Sequence, residues 1–160
     1  MTFISYAQNF EDVMLWRALK HVDNGFYIDV GANHPEIDSV TLAFYERGWR
    51  GINVEPMQDC YRELRVRRPA DVNLDCAVGS RNGEIVFYEV PGTGLSTTDA
   101  AIAQQHREAG MPVIERAVPV RMLADICREH AKGPIHFLKI DVEGMESAVL
   151  SGMDFTAFRP

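Results

Sequence analysis

Phe26-Tyr27-Ile28-Asp29-Val30-Gly31-Ala32-Asn33 is the stretch on which the fold turns. Its first five residues follow the turn pair Asn24-Gly25 and read as a short strand, apolar enough to be buried on both faces. Gly31 lets the backbone turn sharply at the strand's end and admits a ligand with no Cβ in the way. The helix expected next would aim its free N–H groups at the same place.

Upstream, residues 10–21 are predicted as a helix, with Val13, Trp16 and Leu19 on one side and Glu11 and Asp12 in the acid-favouring first turn. Downstream, Ser39 is the expected N-cap of a helix over 40–47 that stops at Gly48. A second strand, 51–55, ends at Pro56; a helix over 57–68 and a third strand over 72–79 follow. Asn82-Gly83 is a hairpin signal, so 84–90 is expected to return antiparallel to 72–79. Residues 91–115 are less regular, with a loop at Pro91-Gly92-Thr93-Gly94 and a polar helix over 98–109; Val118-Pro119-Val120 is extended. Leu123, Ile126, Cys127 and His130 mark a helical face, 135–142 a fourth strand, and Gly144 the opening of a last short helix. Alternating strands and helices predict an α/β, doubly wound, Rossmann-like and mostly parallel sheet, in a single domain over 1–160.

The bulk composition narrows the partners. A net charge of −7 over 160 residues repels phosphate backbones and anionic lipid, which argues against nucleic acid. No apolar run is long enough for a membrane span, and the N-terminus Met1 to Tyr6 lacks the marks of a signal peptide. Cys60, Cys76 and Cys127 have no metal-type spacing and read as buried thiols, so the expected location is the cytoplasm. Arg65, Arg67 and Arg68 read as cations at a helix C-terminus.

In an open α/β sheet, ligands bind beyond the carboxyl ends of the strands. Here those ends carry Asp29 to Asn33, Glu55-Pro56, Cys76 to Gly79 and Asp141-Val142-Glu143-Gly144. Glu55 follows Gly31 by 24 positions, close to the spacing at which an acid meets a ribose diol. A nicotinamide dinucleotide and S-adenosylmethionine both fit so far. The loop Gly31-Ala32-Asn33-His34-Pro35-Glu36 favours the second, because it lacks the later glycines that admit a pyrophosphate and places an acid there instead. S-adenosylmethionine carries positive charge, which Asp29, Glu36, Glu55 and Asp141 suit.

Four segments resemble the FkbM-type methyltransferases of class I: residues 26–33, 48–56, Gly94-Leu95-Ser96-Thr97 and 137–144. The opening Ser5-Tyr6-Ala7-Gln8-Asn9-Phe10-Glu11-Asp12 is similar to that group as well. The resemblance implies S-adenosylmethionine as methyl donor and a hydroxyl of a sugar, glycan or natural product as acceptor. It implies a cofactor site lined by Asp29, Gly31, Ala32, Asn33, Glu55, Pro56 and Asp141, with Ser39 and Ala77 carried over beside them.

Methyl transfer to an alcohol needs alignment and a base. Asp141 and Glu143 are the candidates, with His34 and His136 behind them; a metal would need more oxygen ligands than this pattern supplies, so none is assigned. Lys139, inside a buried strand, is expected to pair with an acid, and Trp16 and Trp49 to lie in the core. His21, His106 and His130 read as surface or helix-edge residues, and Ser96-Thr97 as either a helix cap or part of the site. Residues 84–120 are expected to wall the acceptor pocket, with 91–115 selecting the substrate. A complete sheet of this class continues beyond a fourth strand, so the chain is expected to be truncated at its C-terminus, with reduced or no catalysis. Its fourth strand would then be a bare edge, or one covered by a second copy or another partner. Two rivals stand beside this reading: a non-catalytic cofactor-binding or assembly module, and an NAD-dependent nucleotide-sugar enzyme. The latter would want a Tyr-x-x-x-Lys pair, which neither Tyr61 with Arg65 nor Tyr88 with Gly92 provides.

Overall fold

The computed structural model describes residues 3–160; Met1 and Thr2, where the reading of an absent signal peptide begins, lie outside the described residues. A four-stranded sheet is built from β1 (Phe26–Val30), β2 (Arg50–Val54), β3 (Val72–Leu74) and β7 (Phe137–Ile140), in the order β3-β2-β1-β7. Every pairing in it is parallel. The chain steps outward from β1 to β3 and later returns to the other side of β1, so the switch point of the sheet falls at β1. As expected, β7 lies at a sheet edge.

Strand alternation sorts the core into two faces. Ile28, Val30, Ile52 and Val54 pack against Leu123, Ile126 and Cys127 of α5 (Leu123–His130) and Val149 of α6 (Glu146–Ser151). Tyr27 and Phe137 face the other way, onto Phe44 of α2 (Leu42–Tyr45), Trp49, and Leu15, Trp16 and Leu19 of α1 (Glu11–Leu19). Trp49 is fully enclosed, and Trp16 packs edge-on to Phe44 at 5.9 Å between ring centroids. Both tryptophans therefore serve the core, as read from the sequence. This is an α/β, Rossmann-like arrangement with helices on both faces of a parallel sheet.

The middle of the chain differs from expectation. Residues 72–79 form two strands, β3 and β4 (Ala77–Gly79), which belong to separate sheets. The Asn82-Gly83 turn does not fold 84–90 back onto 72–79. Instead β6 (Ile114–Met122) lies between β4 and β5 (Gly83–Glu89), parallel to the first and antiparallel to the second. Seven register pairs join β5 to β6, from Gly83–Val120 to Glu89–Ile114, so the long ladder outcompetes a three-residue hairpin. This second sheet joins the main core through Cys76 and Val78.

Smaller departures are local. The helix after the first strand is one turn long, with Thr41 as its N-cap; Ser39 accepts from the Leu42 amide at 3.3 Å but is engaged mainly by Arg68. Between β5 and β6, α4 (Ala100–Glu108) is capped by Asp99, which accepts from the Ala101 and Ile102 amides, rather than by Ser96-Thr97. The last helix starts at Glu146, leaving Gly144 in the loop before it. Arg68, the residue after α3 (Gln58–Arg67), is not a solvated cation: its side chain is 1% exposed. It donates to the Pro35 carbonyl at 2.7 Å and to Ser39 Oγ at 2.9 Å, and faces Asp71 at 3.8 Å. Cys76 and Cys127 are buried, Cys60 is half-buried, and all three are free thiols.

Candidate active site

An open crevice of about 1420 Å³ lies beyond the carboxyl ends of β1, β2 and β7. Gly31, at φ +75°, forms its floor. The Gly31 and Ala32 amides both donate to the Val54 carbonyl, at 3.0 and 3.2 Å, which hooks the exit of β1 over the end of β2. A Cβ on Gly31 would stand 1.9 Å from the Asp141 carbonyl oxygen, so the turn is closed to any other residue by the neighbouring strand as well as by its own dihedral.

Glu55 continues β2 into the crevice wall and is 4% exposed. One oxygen accepts from the Asn33 amide and the other from the Met57 amide, both at 2.7 Å. Burial pushes its carboxyl up to about 7 against the pull of those two donors. Each oxygen keeps a lone pair for a further donor. Asn33, in the left-handed region at φ 53°, also receives the Cys60 thiol at 3.3 Å.

Asp29 and Ser39, expected on the cofactor wall, sit behind it. Register places Asp29 directly beside Lys139 and Asn53 in the sheet, on the face covered by α2. Asp29 accepts from Thr41 Oγ1 at 3.0 Å and pairs with the Lys139 ammonium at 3.0 Å. Lys139 also donates to the Gly31 carbonyl at 2.5 Å and approaches Asp141 at 3.9 Å. Burial pulls this ammonium down, yet Asp29, with Asp141 and Glu55, outweighs it and holds the group above the ordinary lysine range. The expected pairing of Lys139 with an acid is what the sheet contains, and a lysine so held is no proton acceptor at neutral pH.

Asp141 and Glu143 are exposed on the crevice beyond β7. Glu143 and Gly144 take left-handed conformations, φ 51° and 99°, in a loop closed by Glu146, whose carboxylate accepts from the Val142 and Gly144 amides. His34 reaches the crevice, but its Nδ1 accepts from the Glu36 and Ile37 amides at 3.1 Å and so shapes its own loop. His136, the other second-rank candidate base, is not on the crevice: its Nδ1 receives the Phe26 amide at 3.0 Å, at the opposite end of β1. Ala32, Pro56 and Ala77 line the crevice. Among the described residues no three His, Cys, Asp or Glu side chains gather as a metal site, and no helix is long and apolar enough to cross a membrane.

The second sheet supplies the facing wall through Ile85, Phe87 and the loop bearing Leu95 and Ser96. Ser96 Oγ donates to Met57 Sδ at 3.4 Å, and Met57 packs with Phe87 and Val118. Arg116 of β6 donates to the Pro56 carbonyl and to Gln58 Oε1, and pairs with Glu89 at 3.3 Å. Sequence reasoning missed Met57 and Arg116, because an isolated Met or Arg has no pattern to betray a contact made across the fold.

A parallel sheet flanked by helices, with a glycine turn at its switch point and acids beyond the ends of β2 and β7, defines a Rossmann-like fold with a crevice at its carboxyl edge. The methyltransferase FkbM domain matches residues 29–160, and the chain belongs to that family: it is a methyltransferase. Neither the curated proteins nor the solved structures returned a match.

Proposed function

We propose that the chain binds S-adenosylmethionine in this crevice and transfers its methyl group to a hydroxyl oxygen of a small molecule or glycan. The observation that carries the reading is Glu55, a buried carboxylate on the crevice wall, held by two backbone amides beside the Gly31 turn. Such a group accepts both hydroxyls of a ribose diol.

The donor supplies an already activated methyl, so the chain's own work is placement and proton removal. Gly31 and Ala32 leave room at the floor, where Asn33, Pro56 and Ala77 would border the nucleoside of the donor. Asp141 or Glu143, both exposed on the crevice, takes the hydroxyl proton. Lys139 holds Gly31 and Asp29 in place and keeps Asp141 facing a cation. The loop with Leu95 and Ser96 closes the acceptor side and selects the substrate. The acid-rich lining suits a cationic donor and not a pyrophosphate.

Calorimetric titration of S-adenosylhomocysteine, with NAD as control, tests the assignment. Micromolar binding is expected for the first and none for NAD, with a loss of about tenfold or more in Glu55→Ala. Tight NAD binding, or no binding of S-adenosylhomocysteine by the folded chain, overturns it.

A further inference from the structure

The segment Ser5–Asp12 lies outside the residues that match the family, yet Gln8, Asn9 and Glu11 line the crevice. We propose that this strap forms one jaw of the acceptor site, where the Gln8 carboxamide recognises a hydroxyl of an uncharged, polyhydroxylated acceptor. The inference rests on the proposed S-adenosylmethionine-dependent transfer and names the acceptor side of that same site.

The strap is held by a buried charge. Asp12 is 0% exposed, and its carboxylate accepts from Ser5 Oγ and the Tyr6 amide, both at 2.7 Å, and from the Val13 and Ala7 amides at 2.8 and 3.3 Å. A carboxylate withdrawn from water persists only with such a donor set, so the set fixes residues 5–7 against the first turn of α1. Tyr6 adds a second anchor, its hydroxyl 3.1 Å from both oxygens of Glu46. Between these anchors Phe10 turns the chain at φ 61°, a left-handed conformation uncommon for a residue with a side chain. Glu11 then accepts from the Asn9 amide and carboxamide at 3.0 and 3.2 Å.

Gln8 is left exposed on the crevice, and no hydrogen bond within the described residues uses its carboxamide. An amide offers one acceptor and two donors, the complement of a hydroxyl, and a fixed loop loses little entropy in presenting it. Charge decides the class of acceptor. Glu11, Asp141 and Glu143 face the same space, and the one lysine there, Lys139, is already bound to Asp29 and Gly31. A phosphate-bearing acceptor is repelled; a neutral one is not.

Saturation-transfer NMR on the full chain with S-adenosylhomocysteine tests the strap, using methyl glucoside, methyl mannoside and methyl galactoside as neutral probes and glucose 1-phosphate as the anionic one. Transfer is expected to at least one neutral glycoside and not to the phosphate. Gln8→Ala should reduce it about fivefold while S-adenosylhomocysteine affinity stays within about twofold. Equal transfer in the variant, preference for the phosphate, or transfer to no glycoside overturns the proposal. Weakened S-adenosylhomocysteine binding in Gln8→Ala overturns it too, since the strap would then serve the cofactor. Failure of the wild type to bind S-adenosylhomocysteine strikes the S-adenosylmethionine reading, and the proposal with it, in a titration separate from the glycoside arm.

Discussion

Lys139 sits inside a parallel sheet, where an ammonium is tolerated only if its partners replace water. Asp29 on the neighbouring strand does so, with the Gly31 carbonyl as a further acceptor. The side chain of Asp29 is 2% exposed, so removing the cation strands a buried carboxylate. Lys139→Met is therefore expected to cost about 3–5 kcal/mol of folding stability, and Asp29→Asn in the same chain to recover part of it. Urea denaturation of the single and double variants measures both; a loss within about 0.5 kcal/mol would show that the pair braces nothing. Gly31 has a double constraint at the same point. Its positive φ is a property of the turn, but the 1.9 Å approach to the Asp141 carbonyl exists only because β7 returns beside β1.

At the scale of elements, the second sheet is attached to the crevice by few but strong links. Arg116 reaches from β6 to Pro56 and Gln58 at the start of α3 while neutralising Glu89, whose side chain is 6% exposed. Truncation to Ala leaves Glu89 buried without its cation and frees the Pro56 carbonyl. The expected loss is about 2–4 kcal/mol, and Arg116→Lys restores little of it, because one ammonium cannot span acceptors that a planar guanidinium reaches together. Thermal denaturation gives the cost. Hydrogen exchange at Met57 and Gln58 shows whether the loss is local to the crevice, as the contacts require; protection unchanged there would place the effect elsewhere. The same element explains why the Asn82-Gly83 hairpin failed. The turn chemistry was real, but β5 found a longer partner in β6, thirty or so residues further on.

For the whole molecule, the buried acids set a pH dependence. Glu55 titrates at about 7 in the folded chain against an ordinary value of 4.5, because burial disfavours its charge. The folded state thus keeps a proton that the unfolded chain has released. The resulting stabilisation is full below 4.5 and is lost as pH rises to about 7, a change of about 3 kcal/mol. Asp71, also raised by burial, acts in the same direction from a lower starting value. Guanidinium denaturation between pH 4.5 and 8 should show stability falling with pH, and Glu55→Gln should flatten most of that slope. An unchanged slope in the variant would remove Glu55 as its source.

The order of strands and helices, the glycine turn at Gly31 and the acids at the strand ends were determined by the sequence itself, because these depend on neighbours in sequence, and strands alternating with crossover helices favour parallel pairing. The helix face of α5 and the cores around Trp16 and Trp49 were legible for the same reason. Tertiary structure alone decided which acids face the crevice. Asp29 and Asp141 look alike as strand-end carboxylates, yet Asp29 lies within β1, where register sets it against Lys139 behind the wall, while Asp141 follows the last residue of β7 and is exposed on the crevice. It decided as well that 72–79 divides between two sheets, that Arg68 is buried under Pro35 and Ser39, and that the strap of Asp12 brings Gln8 to the site. The physical reason is common to all of these. Pairing, burial and ion-pair formation depend on which distant segment arrives alongside, and local propensity carries no record of that arrival.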